Sequence, residues 1–143
     1  MGRAIEDTNP KAISVVFFDI GGTLGDVGPD RRLRPYAGTR QLLDTLRTVL
    51  GVRLGIITNV PADMSHDGVS ALLEESGLRS AFAADGIVTS NDACTAKPDE
   101  AIYRFAAQRV GVTPAECLFV GENRAEVAGA IRAGMSGLIR PSP

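Results

Sequence analysis

Apolar residues in this chain fall into short dense runs, separated by longer stretches in which they recur every three or four positions. The dense runs are Ile13 to Phe18 (ISVVFF), Val52 to Thr58 (VRLGIIT), Gly86 to Thr89 (GIVT), Cys117 to Val120 (CLFV) and Ser136 to Ile139 (SGLI). The first of them is nearly continuous in apolar residues and rich in β-branched and aromatic side chains. Runs of this kind predict strands buried on both faces, the type found in parallel sheets. Between the runs, Tyr36 to Leu50 carries Leu42, Leu43, Leu46, Val49 and Leu50 at helical spacing. That spacing predicts a helix with one apolar face set into the core, stopped by Gly51. Further helices are predicted from Asp67 to Ser76, closed by Gly77, from just after Lys97-Pro98 to about Val110, and from Glu126 to Ala133. In the third, Ile102, Phe105 and Ala106 face inward. Thr113-Pro114-Ala115-Glu116 fits a capping box with proline at the first helical position.

Strand and helix alternate along the whole chain. The expected fold is therefore a three-layer α/β/α sandwich around a five-stranded, mainly parallel, Rossmann-like sheet. Residues 1–12 are polar and expected to be flexible, leaving 13–143 as one domain. In such sheets the acting residues collect at the carboxyl ends of the strands. That rule singles out Asp19, Thr58-Asn59 and Gly121-Glu122.

Composition narrows the function. At 143 residues, 44% apolar and 22% charged, the chain matches an ordinary globular domain with a real core. Fifteen basic against 17 acidic residues give a net charge of -2, which argues against nucleic-acid binding through a basic surface. Two cysteines and one histidine exclude a disulfide scaffold or a zinc finger. No window has the apolar length of a membrane span, and residues 1–12 lack the apolar core of a signal peptide, so a cytoplasmic location is expected.

The strand-end residues carry a further pattern. Asp19-Ile20-Gly21-Gly22-Thr23-Leu24 follows the first strand directly, Thr58 closes the second, Lys97-Pro98 precedes a helix, and Val120-Gly121-Glu122 with Glu126 follows the fourth strand. In this order these segments resemble the four motifs of the haloacid dehalogenase (HAD) superfamily of phosphatases and related hydrolases, and the resemblance runs from about Val15 to Ile139. It implies a Mg²⁺-dependent phosphatase in which Asp19 attacks phosphorus and forms an aspartyl-phosphate. Thr58 and Lys97 would complete the catalytic set. Phosphate would be bound by Gly21, Gly22, Thr23, Thr58, Asn59 and Lys97, with backbone N–H groups of the glycine turn as donors. Mg²⁺ would be held by Asp19, the Gly21 carbonyl, Glu122 and Glu126.

The chain also departs from the family pattern. Family phosphatases usually carry a second aspartate two residues after the nucleophile, as general acid and base; here that position is Gly21. Such a group is worth about 10²–10⁴ in rate, so slow turnover is expected. Asp26 is a candidate replacement. Motif IV carries glutamates where aspartates are usual, which implies weaker metal binding. Neither place where the family inserts a specificity cap has room for one: Gly25 to Pro35 makes only a small flap, and Ser90 to Ala96 is a short loop. An open site would be closed by a macromolecular phosphorylated substrate, by a partner or by a second copy. Dehalogenation, which relies on the cap, is not expected.

Plainer readings stand beside these. Asp19 fits a turn or cap residue, Thr58 a loop cap, Lys97 a solvated lysine before a helix, and Glu122 with Glu126 one solvated helix face. His66 fits a surface or capping residue, Cys94 a loop thiol, Cys117 inert packing, and Leu42, Leu46 and Val49 core. As a whole, the alternative to the enzyme is a regulatory or non-catalytic phosphate- or partner-binding module on the same fold. A receiver-like signalling domain would show paired acids at the end of the first strand, and none are found.

Overall fold

The structure, a computed structural model, describes residues 12–141 and 143. Residues 1–11, most of the segment expected to be flexible, lie outside the described residues. Five strands form one sheet: β1 (Val15–Phe18), β4 (Arg53–Thr58), β5 (Ile87–Thr89), β6 (Cys117–Gly121) and β7 (Ser136–Ile139). Their order is β5-β4-β1-β6-β7, and every neighbouring pair is parallel. Counting only this sheet's strands in chain order, the arrangement is 3-2-1-4-5. Receiver-like domains use 2-1-3-4-5, so that reading is excluded.

All four residues of β1 are buried, because side chains alternate across a sheet that is covered on both faces. Val15 and Phe17 point into one core, Val16 and Phe18 into the other. The first core is filled from α4 (Glu100–Arg109) and α5 (Arg124–Arg132), with Ile102, Tyr103, Ala106, Val127 and Ala130 against Phe119 of β6. The second is filled from α1 (Thr39–Thr48) and α2 (His66–Glu75), with Leu43, Val69 and Leu73 against Ile56 and Ile87. The three layers expected from the hydrophobic pattern are therefore present. None of the described helices is long and apolar enough to cross a membrane.

The expected apolar face of α1 is narrower than its spacing suggests. The helix ends at Thr48, before that face is complete. Leu43 is fully buried and Leu42 and Leu46 are partly covered, but Val49 is 74% exposed and is not core. Leu50 is exposed as well. Thr113 does form its capping box, over a single 3₁₀ turn, Pro114–Glu116, that leads into β6.

Some elements were not anticipated, among them a hairpin and a short helix. The segment expected to be a small flap is an antiparallel hairpin of β2 (Gly25–Val27) and β3 (Leu33–Pro35). A short helix, α3 (Ser90–Ala93), follows β5 and is capped by the Thr89 side chain. Asn91 on α3 donates from Nδ2 to the Met64 carbonyl at 2.8 Å, and the Val60 N–H donates to Ser90 Oγ at 2.9 Å. These bonds hold the 60–64 loop, beyond the end of β4, against α3.

Candidate functional site

β1 and β6 are the neighbours at which the sheet order reverses, and a crevice opens outside their carboxyl ends. Asp19 stands at its floor. Its N–H donates to the Val120 carbonyl at 3.0 Å, which continues the β1–β6 ladder by one residue and fixes where the carboxylate begins.

Lys97 reaches the same point from the loop before α4. Its side chain is only 1% exposed, and burial of an ammonium is tolerated only where anions meet it. Two do: Nζ lies 2.8 Å from Asp19 Oδ1 and 2.8 Å from Glu126 Oε1. The ammonium also sits 5.2 Å from the centre of the Phe119 ring. Asn59 holds the lysine's backbone from both sides. Its Oδ1 accepts from the Lys97 N–H at 2.8 Å, and its Nδ2 donates to the Lys97 carbonyl at 3.0 Å. The Asn59 amide is therefore committed to Lys97.

Glu126 is delivered by α5. Asn123 caps that helix, its Oδ1 accepting from the Glu126 N–H at 3.0 Å. Gly129, one turn further on, lets the helix approach the Lys97-Pro98 segment: a Cβ there would lie 2.3 Å from the Pro98 carbonyl oxygen. Tyr103 O–H donates to the Glu126 carbonyl at 2.6 Å, and its ring packs edge-on against Phe119. Burial, then the nearby Glu126 and Asp19 charges, push the Tyr103 phenol well above its ordinary range. Tyr103 thus stays neutral and serves as a fixed donor.

The other expected residues fall in different places. Thr58 is buried and lines the crevice; Gly21 lines it too. The Gly22 and Thr23 N–H groups are used inside the turn, donating to the Gly25 and Ile20 carbonyls at 2.9 and 3.1 Å. Thr23 Oγ1 is buried without a hydrogen-bond partner. Glu122 precedes the helix that carries Glu126, is exposed, and lies over Gly22. Gly22 has φ +80°, and a Cβ there would come within 2.7 Å of Glu122 Cγ, so both backbone angle and space call for glycine. Asp26 lies outside the crevice lining and accepts from Tyr36 O–H at 2.6 Å, which leaves it out of position as a replacement acid.

The crevice has a volume of about 370 Å³. Besides the Asp19–Lys97–Glu126 cluster, its lining includes the apolar Val60, Pro61 and Met64 of the 60–64 loop and Val27 of the hairpin. Arg31 lines it as well. Sequence reasoning passed over the clamp made by Asn59, the Phe119–Tyr103 support and Arg31. Only Arg31 left a trace, as part of an arginine-rich RRLR segment.

His66 and the two cysteines are not among the residues that line the crevice. His66 opens α2, with Nδ1 3.2 Å from Asp92 Oδ2. Cys94 is exposed, and Cys117 is buried, its thiol pushed up to about 11 by burial and by Glu116.

Among the described residues no three histidine, cysteine, aspartate or glutamate side chains converge as a ready metal cage. The cluster itself holds two carboxylates and one ammonium, all facing a crevice that the Gly21 backbone borders. Mg²⁺ is commonly held by one or two carboxylates plus waters and substrate phosphate, so an oxygen-only set with surplus negative charge fits it.

A family model described as haloacid dehalogenase-like hydrolase matches residues 25–134. A phosphoglycolate phosphatase of Pseudomonas putida is 36% identical over 100 residues, 70% of this chain and 34% of that protein. An (S)-2-haloacid dehalogenase of Pseudomonas putida is 29% identical over 142 residues, 94% of this chain and 60% of that one. The chain therefore spans between a third and three-fifths of these curated relatives (34% and 60%). A crystal structure of a dehalogenase with an intermediate complex superposes with a TM-score of 0.77 at 20% identity, covering 90% of this chain and 85% of that one.

Proposed function

The chain belongs to the haloacid dehalogenase-like hydrolases, and from that premise we propose that it is a slow, Mg²⁺-dependent phosphohydrolase working through an aspartyl-phosphate on Asp19. The observation that carries this reading is the buried Lys97 ammonium, held 2.8 Å from both Asp19 and Glu126 at the sheet's switch point. A lysine placed there orients the Asp19 carboxylate and offers fixed positive charge to an incoming phosphoryl group.

In the proposed reaction an Asp19 oxygen attacks phosphorus, and the bond to the leaving oxygen breaks with its electron pair. Thr58 and Lys97 stabilise the phosphoryl oxygens. Water then attacks phosphorus, the bond to Asp19 breaks, and inorganic phosphate leaves with the carboxylate restored. Mg²⁺ would be held by Asp19, the Gly21 carbonyl and Glu126, with Glu122 nearby, and would offset the repulsion between two anions. Gly21 supplies no proton to the leaving group. Among the described residues lining the crevice, the ionisable groups besides Asp19 are Lys97, Glu126 and Arg31, and the first two are bound to each other. The substrates favoured are therefore those whose leaving groups depart without protonation, acyl phosphates above all.

The test is hydrolysis of acyl, aryl and alkyl phosphates with and without Mg²⁺, with Asp19→Asn as control. Metal-dependent turnover that disappears in the variant supports the reading. No turnover above the variant anywhere in the panel overturns it and leaves a phosphate-binding module.

A further inference from the structure

The connection from β2 to β3 contains Arg31, Arg32 and Arg34, and their surroundings differ. Arg34 is bound to Asp30, Nη2 to Oδ2 at 2.8 Å, and together with the Arg32 N–H it holds that carboxyl down at about 2. Arg32 points to Glu75 on α2 at 3.5 Å. Arg31 alone of the three lines the crevice. It does so from a left-handed backbone, φ 61°, that a non-glycine residue rarely adopts. Strained positions of this kind collect where a side chain must be aimed.

Its partner in the structure is Asp63 on the facing 60–64 loop, with Nη2 at 3.3 and 3.5 Å from the two carboxylate oxygens. Both side chains are more than half exposed, so the pair is weak and readily exchanged for a better anion. Arg31, the Asp19–Lys97–Glu126 cluster and the apolar Val27, Val60 and Met64 line one crevice. The crevice thus combines a charged cluster, apolar lining and one guanidinium, a group suited to two-point binding of a planar oxyanion.

We propose that Arg31 is a specificity residue that selects a small phosphorylated substrate with a second anionic group, a carboxylate, at its far end. The proposal rests on the phosphohydrolase reading for the identity of the floor. The carboxylate displaces Asp63 from Arg31, while the short carbon chain lies against Val27, Val60 and Met64.

The test is calorimetric titration of the Mg²⁺-loaded protein with ω-carboxyalkylphosphonates of two to five carbons, each against the alkylphosphonate of equal length. One member of the carboxylated series should bind about two- to fivefold tighter than its neutral counterpart, the worth of an ion pair on a half-exposed arginine. Arg31→Gln should collapse that ratio toward one. Arg34→Gln, on the same hairpin but bound to Asp30, should keep it. Equal affinities across the series, a ratio that survives Arg31→Gln, or no binding of any phosphonate overturns the proposal. Phosphate-ester turnover that depends on Asp19, measured on uncharged leaving groups, reports separately on the phosphohydrolase reading.

Discussion

Replacing Gly21 with aspartate returns a carboxyl group to the position two residues after Asp19. The backbone accepts it: a Cβ at Gly21 would meet only Val27 Cγ2, at an ordinary 3.9 Å. The position is exposed, and exposed substitutions without strain usually change stability by less than about 0.5 kcal/mol. A positioned general acid is worth about 10²–10⁴ in rate, which is about 3–5 kcal/mol of barrier. The gain is greatest where the leaving group must be protonated as it departs. Gly21→Asp should therefore raise kcat for alkyl phosphates by about two to four orders of magnitude and that for acyl phosphates far less. The assay is steady-state phosphate release from matched alkyl and acyl phosphates, at equal Mg²⁺, for both proteins. One opposing effect is built in, because a third carboxylate joins Asp19 and Glu126 around a single ammonium, so the gain should grow with salt. Unchanged alkyl phosphate turnover in a folded, Asp19-dependent Gly21→Asp protein would refute the argument. The missing aspartate would then not be what limits the proposed turnover.

Other substitutions test how the cluster is held. Asn59→Ala removes both bonds to the Lys97 backbone and should cost about 1–3 kcal/mol by denaturant titration, with a parallel fall in turnover. Gly129→Ala puts a Cβ 2.3 Å from the Pro98 carbonyl oxygen. It should push α5 outward, destabilise by about 1–3 kcal/mol and lower kcat as Glu126 withdraws from Lys97. Asp92 shows a pH dependence of definite sign. Burial raises its carboxyl, but the Thr89 N–H, His66 and the Thr89 hydroxyl together hold it below its ordinary 3.8. Its stabilisation is therefore complete above the ordinary carboxylate range and is lost as pH falls through the lowered folded value. Asp92→Asn should lose about 1 kcal/mol at pH 7, a typical capping contribution, and the gap to wild type should close below about pH 4. A gap that widened in acid would reverse that sign.

The inner strands were legible because burial on both faces leaves little room for polar residues, and VVFF or GII can hardly be anything else; β7, at the sheet edge with Leu138 and Ile139 exposed, was legible only from its apolar run. The β2–β3 hairpin was not. Its strands, Gly-Asp-Val and Leu-Arg-Pro, are three residues each, show no alternation, and bury only Gly25 and Leu33. Val49 was misjudged because helical spacing continues past the residue where the helix stops. The site divides in the same way. Asp19 and Thr58 are marked by the strands that precede them, and Lys97 by the proline and helix that follow it. Glu122 and Glu126 are chemically identical and four residues apart, yet only Glu126 reaches Lys97. Asn123, between them, starts the helix that turns one inward and leaves the other beside Gly22. The Asn59 clamp joins residues 38 positions apart and leaves no local signal.

The central place of β1 also bears on how the chain is made. Emerging first, Val15–Phe18 must wait for one neighbour, β4, and then far longer for the other, β6, whose Cys117 pairs with Val15. Contacts that close so large a loop form slowly. During synthesis the most apolar strand therefore has one open hydrogen-bonding edge and an unfilled face, because Ile102, Tyr103 and Phe119 have not yet been added. Nascent chains stalled before residue 117 should be the species that chaperones hold or that aggregates, and Asp19 should meet its lysine and glutamate only in the last steps of folding.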